Sequence, residues 1–72
     1  MSFLKNTEYY IHQKLIEYLG VTDDNIIWFN YNFDYIYEEY MVIYEYIEPV
    51  YKTKVKGHCI IKEREISRIL KS

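Results

Sequence analysis

The stretch from Tyr35 to Ile61 has alternating side chains on both sides of the chain's only proline, Pro49. Proline has no backbone N–H to donate, so it is excluded from the interior of a helix and from a central strand. The residues after it, VYKTKVKGHCII, alternate between apolar and polar, which is typical of a strand with one buried face. We therefore predict two antiparallel strands joined by a turn through Glu48, Pro49 and Val50.

The segment before this turn, Tyr35–Glu48, fits two structures. Ile36, Tyr40 and Ile43 recur at a spacing that also suits a helix. Its high content of tyrosine and β-branched residues favours an extended strand. We predict a strand, and a helix is the alternative.

The remaining segments predict one more strand and two helices. In NTEYYIHQKLIEYLG, Asn6 or Thr7 is suited to cap a helix, and Gly20 is suited to end it. The residues IIWFNYNF alternate as a strand does. In KEREISRILKS the apolar residues, among them Ile69 and Leu70, share one helical face.

These elements predict a single α+β domain spanning residues 1–72. The element order is α-β-β-β-α, with a three-stranded antiparallel sheet and both helices on one face of it. A chain of 72 residues is long enough for one domain only.

The positions of the two turns predict which side chains share a face of the sheet. A turn centred on Pro49 places Tyr44 opposite Lys54, and a turn centred on Asp34 places Trp28 beside Tyr40. The helices are then expected to cover Ile27, Phe29, Met41, Ile43, Val55, Cys59 and Ile61. The face left to solvent is expected to hold Trp28, Tyr40, Tyr44, Tyr46, Lys52, Lys54 and Lys56.

The predicted tyrosine and lysine face has two interpretations. One is an ordinary half-solvated sheet face, since tyrosine and lysine both tolerate water at their tips. The other is a surface for partner binding or homodimer formation, because an exposed aromatic patch of this size usually meets another protein. In the second interpretation Trp28, Tyr40, Tyr44 and Tyr46 are partner-binding residues.

Charge is divided unevenly along the chain. Residues 1–49 hold two lysines against nine carboxylates, a balance of −7, and residues 50–72 have a balance of +5. Three carboxylates, Asp34, Glu38 and Glu39, cluster at the first predicted turn, away from the lysines. We interpret them as a partner-binding acidic edge that approaches a basic surface, and the alternative is a solvated edge.

Signals for catalysis and cofactors are weak. His58 and Cys59 are neighbours on a predicted strand, so they point to opposite faces and do not form a nucleophile and base pair or a metal site. We predict no enzyme activity, no catalytic or metal residues and no cofactor. One cysteine, no long apolar span and no secretion signal in MSFLKNTEYY predict a cytoplasmic protein without a membrane partner.

Two functional hypotheses follow. The first is a small non-enzymatic interaction protein that binds and inhibits a host protein, such as a nucleic-acid-handling defence enzyme, through an acidic, tyrosine-rich surface. Residues with A/T-rich codons dominate and alanine is absent, which suggests a viral, phage or mobile-element gene and a host cytoplasmic location. The alternative is a nucleic-acid-binding module in which the tyrosines and Trp28 stack on bases while Lys52, Lys54 and Lys56 contact phosphates.

Overall fold

The computed structural model describes residues 3–66, with side chains from residue 7 onward. The elements are α1 (Phe3–Leu19), a 3-10 turn (Asp23–Asn25), β1 (Ile26–Asp34), β2 (Glu39–Ile47) and β3 (Lys54–Lys62). A second helix, α2, begins at residue 63 and continues to the end of the described residues. The predicted α+β class and element order are confirmed, and Tyr35–Glu48 contains a strand rather than a helix. Ile69 and Leu70, predicted on a helical face, lie outside the described residues.

The sheet has the order β1-β2-β3, and both neighbouring pairs are antiparallel hairpins. The β1–β2 turn spans residues 35–38. Asp34 Oδ1 accepts hydrogen bonds from the backbone N–H groups of Ile36 (2.9 Å) and Tyr37 (3.2 Å). Glu38 closes the turn in the left-handed region, with φ of 51°. A short carboxylate side chain that binds its own turn is a common way to fix such a loop.

The β2–β3 turn spans residues 48–53 and uses the same device. The Glu48 carboxylate accepts hydrogen bonds from the N–H groups of Val50 (3.0 Å) and Tyr51 (2.6 Å). Lys52 takes the left-handed conformation with φ of 62°, and Glu48 N–H donates to the Thr53 carbonyl at 2.8 Å. This turn is longer than the one expected around Pro49, so β3 begins later along the chain.

The register that results reverses the predicted faces of β2. Tyr44 lies opposite Phe29 on β1 and Gly57 on β3, instead of opposite Lys54. Both turns shift the pairing by an odd number of residues, and an odd shift moves every side chain of a strand to the other face. Met41 and Ile43, which were expected in the core, are exposed.

We call the side of the sheet under α1 the covered face. It holds Phe29, Tyr31, Tyr40, Val42, Tyr44, Tyr46, Cys59 and Ile61. The apolar residues Ile11 and Leu15 of α1 and Ile66 of α2 pack against it and are fully or almost fully buried. The positions predicted for Phe29, Cys59 and Ile61 are confirmed. Ile27 is exposed instead, because the pairing of β1 with β2 is irregular between Ile26 and Trp28.

One close approach on the covered face requires glycine. A Cβ at Gly57 would lie 2.6 Å from the Tyr44 hydroxyl and under 3.0 Å from two ring carbons. The Tyr44 ring therefore lies across the backbone of Gly57, where any side chain would displace it. Gly57 allows a residue as large as tyrosine to occupy the middle of this core.

Candidate protein-binding surfaces

The β1–β2 turn presents three adjacent apolar side chains to solvent. Tyr35 is 84%, Ile36 85% and Tyr37 67% exposed. We call these three residues the hairpin tip. Large apolar side chains with this much exposed surface are unusual side by side, and such patches mark interaction sites.

The hairpin tip is held in one conformation by its neighbours. Asp34 binds two of its three backbone N–H groups, as described above. The Glu38 carbonyl accepts a hydrogen bond of 3.0 Å from the Glu63 N–H, which connects the turn to the start of α2. The Tyr35 ring also packs edge-on against Phe33, with 4.8 Å between ring centroids. A loop ordered before binding loses less conformational entropy when it meets a partner.

A shallow apolar groove of about 410 Å³ runs from the hairpin tip onto the sheet. Its lining residues are Asn32, Phe33, Asp34, Tyr35, Ile36 and Met41. A smaller and more polar cavity of about 230 Å³ lies beside Tyr37 and Glu38 and is also lined by Lys62 and Arg64. Apolar and charged surface therefore meet at the hairpin tip.

The side of the sheet opposite α1 is the open face. Its residues are Trp28, Asn30, Asn32, Asp34, Glu39, Met41, Ile43, Glu45, Lys54, Lys56, His58, Ile60 and Lys62. Trp28 Nε1 donates a hydrogen bond of 2.9 Å to the carboxylate of Glu45 across the strands. Trp28 is exposed, as the sequence predicted.

The other three predicted partner-binding aromatics lie on the covered face. Tyr44 is buried, with 7% of its surface exposed, and Tyr40 and Tyr46 are half-buried against the core. Burial raises the pKa of the Tyr44 hydroxyl above its ordinary value, and it does the same for Tyr40. The prediction that Tyr40, Tyr44 and Tyr46 form a solvent face is wrong, because β2 is reversed.

The lysines predicted for nucleic acid do not lie in one row. Lys54 and Lys56 are exposed on the open face of β3. Lys52 lies in the β2–β3 turn, in a left-handed backbone conformation. The predicted pairing of these lysines with tyrosines is wrong, since the strand partners of Lys54 and Lys56 are Ile47 and Glu45.

The carboxylates at the first turn have different roles. Asp34 fixes the turn, as shown above, and Glu39 is mostly buried and forms an ion pair with Lys62. Glu39 therefore does not lie away from the lysines, as the sequence predicts for these carboxylates, and Asp34 accepts hydrogen bonds from backbone amides of the turn. Glu38 is exposed beside the hairpin tip and lines the polar cavity.

His58 and Cys59 point to opposite faces, as alternation along a strand requires. Cys59 is buried under α1, and burial raises the pKa of its thiol. Within residues 3–66, no group of three or more His, Cys, Asp or Glu side chains is arranged to hold a metal ion. The helices of this described region include none that is long and apolar enough to cross a membrane.

Alternation in the sequence does not single out the hairpin tip. Its signal was present in DYIYEE, where an aspartate precedes the turn and can bind the N–H groups of residues two and three positions later. A turn at Asp34 itself, as the sequence predicts, assigns Tyr35–Tyr37 to a strand instead.

Comparisons with known proteins do not add to this description. No family model, no curated protein and no solved structure matches the chain.

Proposed function

We propose that the protein is a non-enzymatic interaction protein that binds another protein through its hairpin tip. The observation that carries this proposal is the exposure of Tyr35, Ile36 and Tyr37 on a turn that Asp34 holds in one conformation. A turn needed only to connect two strands has no use for three large apolar side chains. Polar residues and glycine meet that need at lower cost.

The energetics of the hairpin tip suit partner binding. Complete burial of one large apolar side chain stabilises a complex by about 1.5–3 kcal/mol. Tyrosine is among the residues that dominate binding energy at protein interfaces, because it brings a large rigid ring and a polar hydroxyl. Two tyrosines and an isoleucine, already ordered, are sufficient for the centre of a small interface.

The charge around the hairpin tip indicates the kind of partner. Glu38 is exposed next to it, and the residues up to Pro49 are strongly acidic. Of the two cations in the neighbouring cavity, Lys62 is paired with Glu39, and the other is Arg64. We propose a partner with an apolar pocket bordered by lysine or arginine, since opposite charges speed association and exclude wrong partners. A basic groove on a nucleic-acid-handling host enzyme has this chemistry. Inhibition of such an enzyme by a viral, phage or mobile-element protein is the form of the proposal that the sequence favours.

Nucleic-acid binding is the weaker proposal. Single-strand binding of this kind relies on aromatic rings that are free to stack on bases. Tyr44 is in the core and Tyr40 and Tyr46 pack against it, so Trp28 is the predicted aromatic that remains on the open face with Lys54 and Lys56, while Lys52 is exposed in the β2–β3 turn.

The main test compares the hairpin tip with the other turn. One variant replaces Tyr35, Ile36 and Tyr37 by serine, and the matched control replaces Val50 and Tyr51, which are also highly exposed. Each protein is immobilised and exposed to lysate of the source cell, and any captured protein is purified for a direct affinity measurement. We expect the tip variant to bind at least ~30-fold more weakly than the parent, and the control to bind normally.

A partner that binds the tip variant as tightly as the parent contradicts the proposal. The inhibition part is tested separately, by assaying a captured enzyme with the parent protein and with the tip variant. A titration with labelled single-stranded and duplex oligonucleotides at about 50 mM salt tests the alternative. Affinity that falls steeply with added salt would favour nucleic-acid binding.

A further inference from the structure

The open face has an apolar centre that extends across all three strands. Trp28 on β1, Met41 and Ile43 on β2 and Ile60 on β3 are each more than one third exposed. Ile43 has Asn30 on one side and His58 on the other, and Met41 has Asn32 and Ile60. Both of these central apolar side chains belong to the middle strand, far from either edge of the sheet.

The charges on this face are divided between its two edges. The β3 side carries Lys54, Lys56, His58 and Lys62, and the β1 side carries Trp28, Asn30, Asn32 and Asp34. Strand β1 contains no lysine or arginine. The face is therefore basic along β3 and aromatic or acidic along β1, with apolar residues between.

We propose that this open face binds a second copy of the chain, sheet against sheet, about a two-fold axis parallel to the strands. This rotation places β2 over β2 of the second copy and β1 over β3. Asp34 then faces Lys62 of the second copy and Trp28 faces Lys56, a cation over an aromatic ring. Ile43 meets Ile43 of the second copy at the axis.

The other in-plane axis along the sheet, perpendicular to the strands, is unfavourable. Rotation about that axis places each strand over the same strand of the second copy, running in the opposite direction. With Met41 and Ile43 at the centre, Lys56 then faces Lys62 of the second copy and Glu39 faces Glu45. Like charges that face each other across an interface raise its free energy, and here the lysines do so as well as the glutamates. The proposed axis also brings Glu45 and Glu39 opposite their own copies, but each has a lysine of β3 beside it, Lys56 and Lys62. These lysines then face Trp28 and Asp34 of the second copy instead of each other. Glu45 also keeps the Trp28 N–H as its donor.

The size of the face predicts a weak dimer. Three strands about 4.8 Å apart and nine residues long at about 3.3 Å each give a flat area on the order of 400 Å². Stable specific interfaces bury about 800 Å² on each partner. The two hairpin tips lie at the same end of such a dimer and stay free, so this inference does not depend on the proposed function.

The test measures molecular mass by sedimentation from about 10 µM to about 1 mM, with Trp28 emission recorded on the same samples. We expect the dimer fraction to rise with concentration and the emission of this single tryptophan to shift to shorter wavelength. Ile43→Lys places two like charges on the axis and should weaken the dimer at least ~10-fold. Val50→Lys, on the exposed turn, is the matched control and should dimerise normally.

A monomer at about 1 mM with unshifted emission overturns the proposal. A dimer that survives Ile43→Lys also overturns it, because another surface must then be responsible, such as the free edge of β1.

Two further variants test the dimer if Ile43→Lys does not fold. Lys56→Glu is an exposed change and should weaken the dimer by removing the charge over Trp28. Ile43→Cys should be joined to its copy by a short bifunctional thiol reagent faster than Val50→Cys, since only the first lies on the axis and stacked sheets lie about 10 Å apart. Equal cross-linking of the two cysteine variants, or an unaffected dimer in Lys56→Glu, counts against the proposed packing.

Discussion

The two faces of β2 differ more in what covers them than in how apolar they are. Under α1 lie three tyrosines and Val42, while the face toward solvent presents Met41 and Ile43 between Glu39 and Glu45. Isoleucine and methionine are buried in proteins more often than tyrosine. The comparison teaches that the average preference of a residue type does not decide which side of this strand forms the core.

Tyrosine suits the covered face because of its shape and the glycine opposite it. The Tyr44 ring fills the space above Gly57 and reaches Tyr46, with 6.0 Å between ring centroids. Tyr40 makes similar contacts with Tyr31, at 5.9 Å. Long aromatic side chains fill a wide gap between a helix and a small sheet, and a hydroxyl at the end can remain near water.

The largest effect should come from truncating a side chain on the covered face of β2. Tyr44→Ser empties the middle of the core and should lower the free energy of unfolding by about 3–5 kcal/mol, which is close to the total stability of a small domain. Ile43→Ser, one residue away on the open face, should cost less than about 1 kcal/mol. Urea denaturation followed by circular dichroism measures both. Equal losses would mean that both faces of β2 are packed.

The second effect concerns the space over Gly57. Gly57→Ala pushes a methyl group into the Tyr44 ring and should destabilise the protein by about 1–3 kcal/mol. Lys56→Ala, the neighbouring position on the open face, should change stability by less than about 0.5 kcal/mol. In the background Tyr44→Leu the cost of Gly57→Ala should shrink, because the clashing ring is gone. A cost that stays the same in that background would refute the contact as its cause.

High pH should destabilise the protein through the tyrosines of the covered face. Burial raises the pKa of Tyr44 and Tyr40 above the ordinary value of 10.0, so the folded state holds these hydroxyls protonated while the unfolded state ionises. The contribution of these groups to stability is complete below pH 10.0 and is lost as the pH rises through the folded pKa. Denaturation curves on both sides of pH 10 measure this loss. Tyr44→Phe should reduce this loss of stability, whereas Ile43→Val should lose as much stability as the parent protein.

The smallest effect concerns the turn that sets the pairing of β2 with β3. Hydrogen bonds from the Tyr51 and Val50 N–H groups lower the pKa of the exposed Glu48 carboxyl below its ordinary value of 4.5. Its contribution to stability is present above that value and is lost as the pH falls through the folded pKa. Thermal melts in acid should show a small loss that Glu48→Gln lacks. An identical acid profile in this variant would show that the carboxylate does not hold the turn.

Part of the candidate site could be predicted from the sequence. Trp28 is exposed on the open face, and Lys54 and Lys56 lie on that face as expected. The hairpin tip could not be placed without the first turn, since Tyr35–Tyr37 read equally well as the beginning of a strand. The ion pair of Glu39 with Lys62 was also out of reach, because it depends on which residues of β2 and β3 are opposite.

The sequence by itself determined the elements, their order and the side chains that share a face within each strand. Alternation has a period of two residues, so it holds inside a strand wherever the pairing is regular, and it fails at Ile27, where the pairing of β1 is not. For β1 and β3 it also indicated the buried side, because Asn30 and Asn32, or Lys54 and Lys56, mark the other one. Strand β2 has large apolar side chains on both sides, so its pattern selects neither.

Only the tertiary structure decided which side of β2 is covered. The choice depends on how many residues the two turns use, and the carboxylates of Asp34 and Glu48 fix those turns by binding backbone N–H groups. One residue more or less in a turn exchanges the faces of the whole strand. The tyrosines of β2 lie in the core because this register places Gly57, rather than a lysine, beneath Tyr44.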